Sequence, residues 1–357
     1  MYKQKYIKYK KKYIELKKLK GGSISQVLEL DRQINNEENT TKGKQLILER
    51  DKKKKEVSDN LELIRSRDST KRYIIVTVGP TGSGKTDLIN KVEKKLGITP
   101  VEKKNYILID NLVENDTWYK DEVKKIITTA CLDKTIDNCD MDVFNNPNKT
   151  LLEKFGNAYQ TSRADRIEGC TVSKEKISCN NINNNNFTNA LLRGDNIIFE
   201  TTGEYNLIWF LSYSSRWSQQ YRNLVIKNYD IVYAYSLVNF NTLLTRNIDR
   251  TVSGINFYMK NTSTSAPRLP DLSIEVFKPK VVRIIKNLIN FSKICLLGNK
   301  DESTCGMKKP DKLLIYNNNL GKGNMNLIIE LPDPYKNIES VKQNILTLSG
   351  LSQSDLE

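Results

Sequence analysis

No histidine occurs anywhere in the 357 residues. That absence removes Ser-His-Asp and Cys-His catalysis and every zinc site built on imidazole, so general-base work falls to a carboxylate, a lysine or a tyrosine. Cysteine is sparse, and none of Cys131, Cys139, Cys170, Cys179, Cys295 and Cys305 forms a C-x-x-C pair. The spacing favours ordinary reduced thiols over a four-cysteine metal site made from the first four. Long apolar runs are missing too: nothing approaches a membrane span, and no apolar signal-peptide core follows the basic N-terminus. The chain is expected on the cytosolic side of any membrane. Acidic residues are short of basic ones, 42 against 57, for a net charge of +15. Residues 1–20 carry nine lysines and one glutamate, so more than half of that excess lies in a short leader. No basic run with interleaved aromatics follows, and specific nucleic-acid binding is not expected.

The most informative stretch present is YIIVTVGPTGSGKT, Tyr73 to Thr86. Tyr73–Val78 is β-branched and aromatic, the composition of a buried strand. Gly79, Pro80, Thr81, Gly82, Ser83, Gly84, Lys85 and Thr86 then fit G-x-x-x-x-G-K-[ST] without a mismatch. The glycines let backbone N–H groups curl inward toward phosphate oxygens, and a helix beginning near Lys85 adds its positive end. Lys85 can neutralise β- and γ-phosphates, and the Thr86 hydroxyl can hold Mg²⁺. The pattern implies binding of a nucleoside triphosphate.

Along the chain, residues 1–22 place Tyr2, Tyr6, Tyr9, Tyr13 and Leu16 on one helical stripe among lysines, and Gly21-Gly22 stop it. Residues 23–70 form a charged helical linker, with a helix over about Gln45–Ser66. Residues 71–330 make the α/β domain, and 331–357 a C-terminal helical tail. Strands are predicted at Tyr73–Val78, Tyr106–Asp110, Asn196–Glu200 and Ile231–Leu237, with one or two more from Lys293–Leu297 and Lys312–Tyr316. A helix covers Ile274–Phe291. Residues 112–190 read as helical and irregular, ending in NNINNNN as a disordered or poorly packed loop.

Three groups carry candidate chemistry. Asp110, ending strand two on the edge where functional groups gather, can hold Mg²⁺ through water or take a proton from an acceptor hydroxyl. Glu200, Thr201 and Thr202 end strand three in FETTG, facing an acceptor or merely capping a turn. Arg246, Arg250 and Arg268 follow strand four. Guanidinium groups over the phosphates suit a transition state that spreads charge over equatorial oxygens, although a solvated helix face also explains the first two.

The order of these parts resembles the zeta toxin family of P-loop kinases from about Tyr73 to Tyr316. GPTGSGKT and NIIFETTG carry the resemblance most strongly, LLTRN and APRLP less so. It implies a three-layer P-loop kinase fold with a mainly parallel sheet, preceded here by an N-terminal helical extension. It further implies ATP and Mg²⁺ as cofactors and transfer of the γ-phosphate to a small-molecule hydroxyl, a nucleotide sugar in the bacterial toxins. Lys85 and Thr86 would serve ATP and Mg²⁺, with Asp110 as the acceptor base. Glu200 and Thr202 would line the acceptor, and Arg246 and Arg268 would clamp the phosphates. The wider arginine spacing and the longer, Asn-rich 112–190 segment depart from the family. A P-loop ATPase or GTPase switch and a nucleotide-binding virion protein without turnover are the competing functions. The leader resembles the starts of proteins of large cytoplasmic DNA viruses, which implies a host-cytoplasmic or virion location. Its basic face could dock on an acidic partner or membrane surface, with cleavage after Gly22.

Overall fold

The structure is a computed structural model. It describes residues 72–132, 134–165, 168–172, 177–205, 207, 225–297, 305, 308–321, 323–333 and 335–357, and before these only 30, 45, 48–49, 51–53 and 55. The leader therefore lies outside the described residues. Within the helix expected over Gln45–Ser66, the few described residues are helical.

Tyr73–Val78 forms β1, with every residue after Tyr73 buried. The phosphate loop leads into α1, Lys85–Leu96, which carries Asp87 in its first turn and Lys94 and Lys95 in its last, each complementing the local helix dipole. Next come β2 (Tyr106–Ile107), α2 (Ile109–Asn115), α3 (Thr117–Ala130), α4 (Lys149–Gln160) and α5 (Cys179–Arg193). The second half holds β3 (Ile197–Thr201), β4 (Asp230–Leu237), α6 (Phe240–Lys260), α7 (Ile274–Phe291), β5 (Lys312–Asn317), β6 (Asn326–Leu331) and α8 (Ile338–Ser349).

The described strands form one sheet in the order β2-β3-β1-β4-β5-β6. β3 runs parallel to both β1 and β2, β4 parallel to β5, and only β6 is recorded antiparallel to its neighbour. Central strands are buried almost without alternation, which is what helices on both faces of a mainly parallel sheet produce. The fold is α/β, as expected. At the outer edge, Glu330 of β6 lies between Lys95 (2.9 Å) and Lys312 (2.8 Å).

By compactness the chain divides into two units. The larger comprises Ile74–Phe187, Ile197–Ser212 and Ile231–Glu357. Besides the core around the sheet, it holds a second apolar cluster built from α2, α3, α4 and the far half of α6, including Val113, Tyr119, Val123, Phe155 and Tyr258. The smaller unit comprises Met1–Tyr73, Thr188–Asn196 and Tyr213–Asp230. In its described part, Tyr229 donates to the Leu191 carbonyl (3.3 Å) and Asp230 N–H to the Arg72 carbonyl (2.8 Å).

Four expectations are corrected. Strand two stops at Ile107, and Asp110 lies in the first turn of α2, because β2 is an edge strand and the chain turns helical at once. The NNINNNN tract is the first half of α5: Ile182, Phe187, Ala190 and Leu191 supply a buried face, and the asparagines occupy the rest of the helix. Lys293–Leu297 continues α7 as a π-helical turn, and the last strand is β6. The six cysteines are paired as Cys131–Cys139, Cys170–Cys179 and Cys295–Cys305, with Cα separations of 5.0, 5.1 and 5.5 Å. Each pair is eight to ten residues apart, close enough for local structure to bring the thiols together. Among the described residues no helix is long and apolar enough to cross a membrane.

Loops this short reduce the entropy of the unfolded chain by roughly 2.5 kcal/mol per bridge. Treatment with dithiothreitol is therefore expected to lower the urea midpoint of unfolding. An unchanged midpoint, with six alkylatable thiols in the untreated protein, would contradict the pairing.

Candidate phosphotransfer site

The phosphate loop is held inside out. The Thr81 and Ser83 carbonyls turn onto the scaffold, and those of Gly79 and Pro80 accept from the loop's own lysine. Lys85 Nζ donates to the carbonyls of Gly79 (2.9 Å) and Pro80 (3.4 Å). Asn247 of α6 donates to that of Thr81 (2.8 Å). The Ser83 carbonyl accepts twice, from the Ser236 hydroxyl on β4 and from Asn318 Nδ2 (2.8 Å) after β5. Gly82 and Gly84 have φ of 80° and 86°. A Cβ at Gly82 would stand 2.7 Å from Asn247 Nδ2, and one at Gly84 would collide with Asn318. Both glycines are needed for conformation and for space. Thr86 is exposed in the first turn of α1, and the Ser83 hydroxyl is buried without a partner.

Beside the loop, Lys85 Nζ lies 3.5 Å from Glu200. Glu200 is paired in register with Thr77 of β1, so the β1–β3 pairing sets its distance from the loop. The turn after β3 is fixed by α7: Asn287 donates to the carbonyls of Gly203 (2.9 Å) and Glu204 (2.8 Å). A Cβ at Gly203, with φ 80°, would lie 2.6 Å from Val78. Thr202 is exposed, and its hydroxyl accepts from Glu204 N–H (3.4 Å), so it caps the turn while facing outward.

Asp110 and Glu114 stand one turn apart on α2, both on the guanidinium of Arg268. Asp110 Oδ2 meets Nη1 and Glu114 Oε1 meets Nε, each at 2.8 Å. The other oxygen of Asp110 accepts the Tyr159 hydroxyl at 2.5 Å. Arg268 also lies over the Tyr159 ring, 5.7 Å from its centroid. The segment bearing Arg268 is pinned by Ala266 N–H to the Glu114 carbonyl (2.8 Å) and by the Tyr119 hydroxyl to the Pro267 carbonyl (3.1 Å). Burial pushes the Asp110 carboxyl upward, but Arg268, the Tyr159 hydroxyl and the Lys85 ammonium outweigh it, and the group ends below the ordinary carboxylate value. Glu114 goes the other way: burial raises it, and the charge of Asp110 adds to that against the pull of Arg268. The two neighbouring carboxyls are driven apart, Asp110 toward the ionised form and Glu114 toward the protonated one.

Arg246 donates to the Asn318 carbonyl (2.9 Å), beside the loop that also holds Ser83. Arg250 is exposed one turn further along, with Glu114 within its electrostatic reach. The expected residues thus fall in two groups: Lys85, Glu200 and the phosphate loop, and Asp110 with Arg268. The field of Lys85 acting on Asp110 links them. Glu114, Tyr159, Asn247, Asn287 and Asn318 escaped the sequence reading. Asp110 and Glu114 four apart would have marked one helix face had the helix been recognised. The others carry no motif.

No family model matches the chain, and no curated protein does. Among solved structures it is similar to one from the PezAT chromosomal toxin-antitoxin system of the human pathogen Streptococcus pneumoniae, at 14% identity over 85% of this chain and 89% of that one. The TM-score is 0.36. A likeness at that level carries no argument. Function has to come from the residues.

Asn247→Leu keeps the volume but leaves the Thr81 carbonyl and its own buried niche unpaired. A loss of about 1–3 kcal/mol in urea unfolding is expected, together with weaker binding of a fluorescent ATP analogue. Unchanged nucleotide affinity would mean that the loop holds its own conformation.

Proposed function

We propose that the chain is an ATP-dependent phosphotransferase that delivers the γ-phosphoryl group to a hydroxyl of a small-molecule acceptor, a nucleotide sugar being one candidate. The observation that carries this reading is the inside-out phosphate loop with an ionised, two-point-held Asp110 within the field of its lysine. A carboxylate kept charged at that position can serve as the acceptor base.

In this reading Thr81, Gly82 and Gly84 present amides to the phosphates, Gly79, Pro80 and Ser83 shape the turn, and Lys85 leaves the Gly79 and Pro80 carbonyls to meet β- and γ-oxygens. The exposed Thr86 hydroxyl at the head of α1 fits a Mg²⁺ ligand. Mg²⁺, when bound, would neutralise charge on the β- and γ-phosphates. Asp110 takes the proton of the acceptor hydroxyl as its oxygen attacks. Glu200 and Thr202, fixed by β3 and Asn287, orient the acceptor. Arg246 and Arg268 offer planar forks for charge spreading over the transferred group. The motifs GPTGSGKT and FETTG support the same reading through their likeness to the zeta toxin family.

A screen with γ-labelled ATP against nucleotide sugars, nucleosides and RNA ends tests the reading against a hydrolase or a binding-only protein. Label appearing only as free phosphate would favour the hydrolase. Lys85→Ala is expected to abolish transfer and leave the fold intact, as circular dichroism would report. Thr202→Val removes one acceptor hydrogen bond, so transfer should fall roughly 5- to 150-fold, the equivalent of about 1–3 kcal/mol, with ATP affinity retained. Equal loss of ATP binding would move Thr202 to the nucleotide.

A further inference from the structure

The hydroxyl of Tyr159 is the one neutral donor described on the Asp110 carboxylate. It comes from the last turn of α4, whereas Asp110 sits in the first turn of α2 and Arg268 follows α6. The three groups therefore meet from separate elements. Arg268 takes Oδ2 and Tyr159 takes Oδ1, which fixes the plane of the carboxylate and leaves its remaining lone pairs for a proton. Tyr159 is itself braced. Its ring meets Tyr119 edge-on at 6.3 Å, and Tyr119 is fully buried and bonded to Pro267, next to Arg268. The chain of contacts closes on itself: Tyr119, Pro267, Arg268, Asp110, Tyr159 and back to Tyr119.

We propose that Tyr159 is a positioning residue of the transfer site, orienting the Asp110 carboxylate toward the acceptor hydroxyl while Arg268 holds the opposite oxygen. This rests on the reading of Asp110 as the acceptor base. The arrangement explains a feature that a phosphate clamp alone leaves over. An Arg268 serving only the nucleotide needs neither the Tyr159 hydroxyl nor two carboxylates around its fork. With Tyr159 in place, Asp110 can pick up a proton without turning, because its Oδ1 stays tethered. Glu114 then keeps the Arg268 charge compensated, so protonating Asp110 leaves the half-buried cation with a partner.

The charged and titratable groups facing this pair come from every element around it. Lys85 of α1 and Arg268 favour ionised Asp110, and Glu114 on α2 opposes it. Tyr119 of α3 is neutral, its hydroxyl pushed far up by burial. Arg163 beyond α4 faces Tyr159, and Arg250 of α6 faces Glu114. Removing the Tyr159 hydroxyl changes a direct hydrogen bond to Asp110 without moving any formal charge.

The test is a carboxyl-carbon NMR titration of Asp110 in the full chain, labelled at aspartate. A hydrogen bond to the ionised form favours it, so deleting that bond raises the midpoint. Tyr159→Phe is expected to move the Asp110 midpoint upward, and Tyr119→Phe, which loses only the Pro267 bond, to leave it in place. Affinity for a fluorescent ATP analogue should stay at the wild-type level in both, which checks folding. A midpoint unmoved or lowered in Tyr159→Phe overturns the proposal, as does an equal rise in Tyr119→Phe. The wild-type chain gives a second reading that needs no Tyr159 variant. The ring-carbon signal of Tyr159 should follow the Asp110 titration and go flat over that range in Asp110→Asn. A signal that ignores Asp110 in the wild type overturns the proposal equally. Whether Asp110→Asn abolishes transfer from γ-labelled ATP is a separate measurement. It tests the base assignment, and its failure is distinct from a failure of the Tyr159 contact.

Discussion

The Ser83 carbonyl, held by Ser236 and Asn318 together, is the contact on which the rest of the site turns. A peptide unit that aims its C=O at the sheet must aim its N–H the other way. Two donors on one carbonyl make that orientation costly to reverse, since a buried acceptor stripped of both would lose several kcal/mol. The two donors come from β4 and from the turn after β5. Strand order, and not the loop sequence alone, therefore fixes the cradle. Asn247 of α6 repeats the device at Thr81. The loop owes its shape to what surrounds it as much as to its glycines.

The second group obeys a different constraint. One half-buried guanidinium is shared by two carboxyls and lies over the Tyr159 ring, where leaving its charge unpaired is costly. Burial lowers the Arg268 value and the paired acids more than restore it, so Arg268 stays charged. The acids divide the work. Asp110 is kept ionised, and Glu114 is nearer to holding a proton. Such a division arises because the carboxyls share one cation but not one environment: Asp110 alone has the Tyr159 hydroxyl and the field of Lys85.

How far the sequence made this legible depends on range. β1 and the phosphate loop were readable because a buried strand and a fixed loop are local facts, written in consecutive residues. Asp110 stood out as a candidate, but its place in a helix was not readable. YILID has strand composition, and nothing local says that an edge strand stops after two residues. Asn247, Asn318 and Tyr159 were not readable at all. Their partners lie 166, 235 and 49 residues away, and buried asparagines and tyrosines announce no function by type. The asparagine tract misled for the opposite reason. Its composition is that of a solvated loop, yet Ile182, Phe187, Ala190, Leu191 and Leu192 bury enough apolar surface to seat a helix.

The two ends of the sheet meet the risk of joining another molecule differently. β2 is only two residues long, too short to template an incoming strand. β6 is longer, but Glu330 sits there between two lysines, and Pro332, which has no amide hydrogen to offer, follows directly. A second chain would have to displace those charges and accept a missing bond at the end of the strand. Among the described strands, growth of the sheet by strand addition is disfavoured at both margins, so these edges favour contact through side chains over extension of the sheet.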